Sequence, residues 1–369
     1  MPEITDFINT TLLMQILRIT IISMFLINLL LLVFTILHKT YVERREEKIK
    51  GLKDTYIQLI SQYYTVPQSE LAKLKHGIQF QALCDVLIEI LESVYGEMEY
   101  QLTKLAEQAG IVNYYRKKAM SRFWLRRCYA VEKLGFLKLA HSKSALYEIL
   151  KREKNPHVIH RIIWALSHIA DENDINTINR LLLNLPFGSS KFNEYIYTNI
   201  IRFFRQRGEE EKFVEYLKNI KDDKSLPVLF KRDIIEACGS ENFYQAKDVI
   251  IDYFRYFDEV DELKITCVRA LGKMGGEDVC RIIQSCLVSE DWRVRAVAAK
   301  NSYLCSDEIV DTLKRCLYDY NYYVRMNAAV SLSRLGERGR SAIMEGCSSY
   351  DRFARDACSY ILKEVECRA

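Results

Sequence analysis

Val294 to Ser306 reads VRAVAAKNSYLCS, and thirty residues further on Val324 to Gly336 reads VRMNAAVSLSRLG. Laid one over the other, the Val-Arg pair matches, Ala298 and Ala299 fall on Ala328 and Ala329, and Ser306 falls on Gly336. Thirty-one residues upstream, Leu263 to Gly275 (LKITCVRALGKMG) takes the same register. Val158 to Ala170 and Phe123 to Gly135 fit the template, poorer copies start near Ile196 and Val228, and Phe353 to Ile361 reads as a closing first helix. A period of about 30 to 37 residues accommodates two helices and two turns.

Each unit carries the same mechanics. Asp291, Asn321 and Asp351 stand where a side-chain oxygen caps a helix N-terminus. The Ala-Ala positions let the first helix pack closely on its neighbour. A Gly or small polar residue at Gly135, Gly275, Ser306 or Gly336 is expected to end that helix in a left-handed conformation. A second helix follows, with Val279, Ile282, Ile283, Cys286 and Leu287 at three- and four-residue spacing. One pair cannot bury its own apolar face, so neighbours must stack.

The Val-Arg-x-x-Ala-Ala-x-x-Leu pattern resembles HEAT repeats of the short bacterial variety, over roughly 250 residues. The resemblance is strongest from Leu263 to Gly346 and weakest between Pro186 and Cys238. It implies an all-α fold: an α-solenoid of about seven helical pairs over 121–369. Arg295, Arg325 and Arg355 recur in it. They invite reading as a ligand ladder, but pairing with acidic groups on adjacent repeats is the plainer expectation.

Composition agrees. The 369 residues include only 5 Pro and 14 Gly, too little turn chemistry for an all-β protein. Hydrophobic content of 49% with 28% charged excludes disorder along most of the chain. A net charge of +4 implies no polyanion partner for the whole molecule, and nucleic acid is not expected. The 11 cysteines are odd in number and lack any C-x-x-C pair. Cys128, Cys238, Cys267, Cys280, Cys286, Cys316 and Cys358 sit in apolar helical stretches and read as buried, reduced thiols.

Ile19 to Leu37 (ITIISMFLINLLLLVFTIL) holds no charge over nineteen positions. At about 28 Å that matches a bilayer's hydrocarbon thickness. A cleaved signal peptide is disfavoured, because Glu3 and Asp6 lead the run, the run is long and no small-x-small site follows. Residues 1–10 carry no Lys or Arg, whereas Lys39, Arg44, Arg45, Lys48, Lys50 and Lys53 follow the span. Residues 1–10 are therefore expected outside, 11–38 as a transmembrane helix in the plasma or inner membrane, and the bulk in the cytoplasm. A juxtamembrane helix over 39–66, broken near Pro67 with Gln68, Ser69 and Glu70 as a restart, and a helical cap over 67–120 complete the layout.

Gly96-Glu97, Leu102, Leu105-Ala106-Glu107, Gly110-Ile111-Val112, Ser121 to Trp124, Arg126-Arg127 and Ala130 to Gly135 support a narrower resemblance. They look like a bacterial family with one N-terminal membrane helix followed by HEAT repeats. Its members are often encoded beside processive glycosyltransferases that make surface polysaccharide. The resemblance implies a membrane-tethered scaffold that docks or regulates such a complex, with a membrane glycosyltransferase as partner.

An enzyme of the HEAT-like bilin-lyase or metal-hydroxylase type is the alternative. It is disfavoured because no His-Glu dipeptide occurs and only His157 and His160 stand at helical spacing. Gly-rich phosphate loops and Gly-x-Ser-x-Gly elbows are also absent. No cofactor, metal or catalytic residue is expected. From Tyr114 to Arg161, thirteen Lys or Arg face three Glu, an excess that suits anionic lipid or an acidic protein. Arg116, Arg122, Arg126 and Arg127 there are candidate partner-binding residues. So are Phe203, Phe204, Arg205, Tyr253, Arg255, Tyr256, Tyr322 and Tyr323, because Tyr, Phe and Arg dominate interface hot spots.

Overall fold

A computed structural model describes residues 2–63, 77–94, 96–257 and 261–366. All the regular structure among them is helical, and the chain divides into two compact units, 1–114 and 115–369.

In the first unit, α1 (Pro2–Tyr63) runs unbroken for 62 residues. The segments expected as an outer N-terminus, a span and a juxtamembrane helix are therefore stretches of one helix. The break at Pro67 lies outside the described residues. From Met14 to Leu37 every side chain is exposed, so no protein covers the apolar run among the described residues. Its hydroxyls are satisfied internally: Thr20 donates to the Ile16 carbonyl (2.8 Å), Ser23 to Thr20 (2.8 Å) and Thr35 to Leu31 (2.7 Å). That is the arrangement a helix needs in a medium without water. It is the one described helix long and apolar enough to cross a membrane.

The charged half of α1 packs beside α2 (Ile78–Leu91). Arg45 donates to Gln81 (2.9 Å) and Lys53 pairs with Glu89, so the two helices run parallel. Tyr56 and Ile60 are buried on α1, and Phe80, Leu83, Leu87 and Leu91 on α2. Next come α3 (Glu97–Gln108), which packs on α2, and α4 (Ile111–Lys118), which bridges the unit boundary.

The second unit is a HEAT-like α-solenoid. Its first layer is α5 (Trp124–Phe136), α7 (Pro156–Ser167), α9 (Ser190–Gln206), α11 (Val228–Ser240), α13 (Asp261–Met274), α15 (Trp292–Asn301), α17 (Tyr322–Leu332) and α19 (Arg352–Glu366). Each member packs on the next. The second layer is α6 (Ala140–Leu150), α8 (Glu172–Leu183), α10 (Glu210–Lys221), α12 (Lys247–Tyr256), α14 (Glu277–Cys286), α16 (Val310–Cys316) and α18 (Gly336–Cys347). Seven pairs and the closing helix expected from Phe353 to Ile361 result.

The caps fall as expected. Asp291 accepts from the Arg293 amide (2.7 Å), Asn321 from Tyr323 (2.9 Å) and Asp351 from Ala354 (2.8 Å). Ala298, Ala299, Ala328 and Ala329 are wholly buried. Two glycines let first helices approach a neighbouring alanine: a Cβ on Gly135 would lie 2.8 Å from the Ala165 Cα, and one on Gly239 2.7 Å from the Ala270 Cα.

Four expectations need correction. Gly135 lies inside α5 and serves this packing rather than a left-handed helix end. Ser306 is extended, at φ −68°, whereas Gly275 and Gly336 are left-handed as expected. Cys280 is not a reduced thiol: it is bonded to Cys305 across successive repeats, with Cα atoms 5.5 Å apart. Cys128 is only half-buried. The other named thiols are buried as expected.

Candidate interaction surface

The edge where a second helix turns into the next first helix is built by one recurring arginine. Arg295 donates through Nη1 to the Ser289 (2.8 Å) and Glu290 (2.9 Å) carbonyls. Arg325 does so to Asp319 (2.8 Å) and Tyr320 (3.0 Å), and Arg355 to Ser349 (2.8 Å). Arg127 repeats the contact with Ser121 (3.0 Å) and Arg122 (3.1 Å). Two of these pair with acids 24 and 26 residues on: Arg295 with Asp319 (2.6 and 3.0 Å) and Arg127 with Glu153 (2.7 and 3.0 Å). Bidentate geometry and burial make these strong structural links. Of the three ladder arginines, Arg295 has the acidic partner expected on the next repeat, whereas Arg325 and Arg355 are held by turn carbonyls.

Holding the turns fixes what they display. The Arg295 guanidinium lies 5.1 Å from the Tyr320 ring centre, and Arg325 lies 5.0 Å from Phe353. Trp292 stacks on Tyr323 at 6.0 Å, and Tyr322 meets Tyr323 edge-on at 5.5 Å. Tyr320, Tyr322, Tyr323, Tyr350 and Phe353 are nevertheless at least 59% exposed. The result is a row of rings on three consecutive turns, two of them mounted on the turn arginines.

Other sequence candidates scatter. Phe204 and Tyr253 are core residues: Phe204 packs near Phe213 (5.8 Å), and the Tyr253 hydroxyl donates to the Leu217 carbonyl (2.8 Å). Arg127 is committed to Glu153. These three are corrected from surface to structural roles. Phe203 is half-buried; Arg205 bonds the Glu241 carbonyl (3.0 Å); Arg255 and Tyr256 are exposed. Arg116 pairs with Glu148 at 3.4 Å, while Arg122 and Arg126 flank the Phe123 ring. Only Tyr322 and Tyr323 join the aromatic row. Trp292, Tyr350 and Phe353 escaped the sequence reading, although an aromatic beside the Asp or Asn cap recurs near the thirty-residue period.

His157 lies between Trp124 (5.3 Å) and Phe187 (4.9 Å), and His160 stacks on Phe192 at 3.7 Å. His168 is half-buried edge-on to Trp164, and this desolvation pulls its imidazole down to about 4 and keeps it neutral. Among the described residues no group of His, Cys, Asp or Glu could hold a metal ion. Burial pushes the Cys316 thiol up to about 11 and Cys358 up to about 12, so neither supplies a thiolate at neutral pH.

No family model matches the chain, and no curated protein matches it. Solved structures resemble it loosely. An engineered protein of the Northeast Structural Genomics Consortium shares 15% identity, covering 81% of this chain and 88% of its own, at TM-score 0.38. Human deoxyhypusine hydroxylase in complex with glycerol shares 15% over 87% and 97%, at TM-score 0.26. A Kap121p mutant shares 11% over 79% of this chain and 38% of its own length, at TM-score 0.42. Superpositions this loose carry no functional argument, and the fold assignment rests on the helix pairs themselves.

Proposed function

We propose that this chain is a non-enzymatic scaffold, tethered to a membrane by Ile19 to Leu37, whose cytoplasmic solenoid docks another protein. The observation that carries the reading is the aromatic row on the turns beginning at Trp292, Tyr322 and Phe353. Rigid, exposed Tyr rings give large contact area at little conformational cost, which is what interface hot spots require. A tether raises the concentration of membrane partners near that row, so a weak contact suffices. The partner class we favour is a membrane glycosyltransferase of polysaccharide export or its regulator, on the strength of the family resemblance alone.

A photo-crosslinking residue in place of Tyr323 or Tyr350, in native membranes, tests this. The expected product is one discrete adduct with an integral membrane protein, absent when the crosslinker replaces Lys300. Adducts only with soluble metabolic enzymes would remove the polysaccharide partner. Stoichiometric iron or zinc in the purified chain would favour the enzyme reading instead.

A further inference from the structure

The first solenoid repeat carries a second surface of different chemistry. Arg122, Phe123, Trp124, Leu125 and Arg126 are exposed in unbroken succession at the start of α5. Leu125 is 64% exposed, Phe123 48% and Trp124 41%, and Met120 and Tyr129 are exposed beside them. The Arg122 and Arg126 guanidiniums sit 4.7 and 5.1 Å from the Phe123 ring centre, one before and one after it in the chain. A terminal repeat normally turns a polar face outward. This one presents rings and a leucine between two cations.

The charges around it do not cancel. Between Tyr114 and Arg161 the three glutamates are each taken: Glu132 by Arg161 (3.5 Å), Glu148 by Arg116 (3.4 Å) and Glu153 by Arg127 (2.7 Å). The remaining excess includes exposed Lys117, Arg122, Arg126, Arg152 and Lys154. Arg152 and Lys154 line the same shallow hollow as Met120 and Ser121.

We infer that Met120 to Tyr129 is a membrane-contact surface for an anionic bilayer leaflet, an inference that rests on the tether proposed above. Trp and Phe favour the headgroup boundary, Leu reaches the acyl region, and flanking cations meet lipid phosphates. The patch is positive and exposed, beside a hollow that is shallow rather than enclosed, so it fits a flat, negative, deformable surface. The tether keeps such a surface at high local concentration.

The test reconstitutes the full chain, with Trp164→Phe and Trp292→Phe, into vesicles of phosphatidylcholine alone or with added phosphatidylglycerol. Trp124 emission is read with and without brominated lipid. The expected result is a blue shift and severalfold stronger quenching in the anionic vesicles, lost in high salt and in Arg122→Gln/Arg126→Gln. Hydrogen exchange over residues 117–129 of the unsubstituted chain reads the same contact should a Trp substitution disturb folding. Equal emission and exchange in both lipids overturns the inference, as does a response only to an added acidic protein. Co-flotation with both vesicle types reports the tether separately, so a failed anchor and a failed patch are distinguishable.

Discussion

The C-terminal repeats, residues 261–366, and the central repeats, residues 190–256, hold the same helix pairs together by different means. In the former, Ala298, Ala299, Ala328 and Ala329 bring first helices together, and the turns into α15, α17 and α19 are each tied by an arginine to carbonyls next to it in sequence. In the latter, α9 is longer and its core is aromatic: Tyr197, Phe204, Phe213, Phe243 and Tyr253 are wholly or almost wholly buried. Polar groups are buried with them. Asp233 accepts from Asn193 (2.8 Å), Ser190 (2.5 Å) and Arg232 (2.9 Å), and Asn179 bridges the Tyr197 and Tyr216 hydroxyls (2.7 and 2.9 Å). Repetition builds one region and a singular network builds the other.

The largest difference should appear at the acids. Asp233→Ala removes a buried carboxylate that serves the buried Asn193 amide and the more exposed Ser190 and Arg232, and is expected to cost about 3–5 kcal/mol. Asp319→Ala leaves Arg295 its two carbonyls and is expected to cost only about 1–3 kcal/mol. Urea unfolding of both variants compares them, and equal losses would erase the distinction.

Acid should act next. His168 is ordinarily at 6.5 but lies at about 4 when folded, so the unfolded chain binds the extra proton between those values. Its contribution is complete above pH 6.5 and falls as pH drops towards 4, reaching a loss of about 2 kcal/mol by pH 5. Thermal melts from pH 7 to 5 should show this loss, and His168→Phe should flatten it.

Smaller effects follow from packing and caps. Gly239→Ala forces a methyl against the Ala270 backbone, with an expected cost of about 1–3 kcal/mol. Asn321→Ala removes one cap and should cost about 1 kcal/mol, read as a lowered urea midpoint.

This contrast explains what was legible in the sequence. Caps, Ala-Ala pairs and turn arginines act within a few residues or at a fixed period, so Asp291, Ala328 and Gly275 declared their roles. Asp233 did not, because its partners Ser190 and Asn193 lie 40 or more residues away at positions with no repeated counterpart. Cys280 and Cys305 met across repeats, 25 residues apart, where no spacing rule applies. Gly135 misled because a glycine that ends a helix and one that admits a neighbouring alanine look alike in sequence. Among aromatics, Tyr253 and Tyr323 were indistinguishable until burial separated them.

Protease digestion of sealed vesicles in both orientations tests the tethered-scaffold reading most directly. With the cytoplasmic face inside, a solenoid fragment spanning residues 115–366 should survive, and with that face outside it should be degraded. Destruction of that fragment in the first preparation and survival in the second would place the repeats on the opposite side and contradict the account.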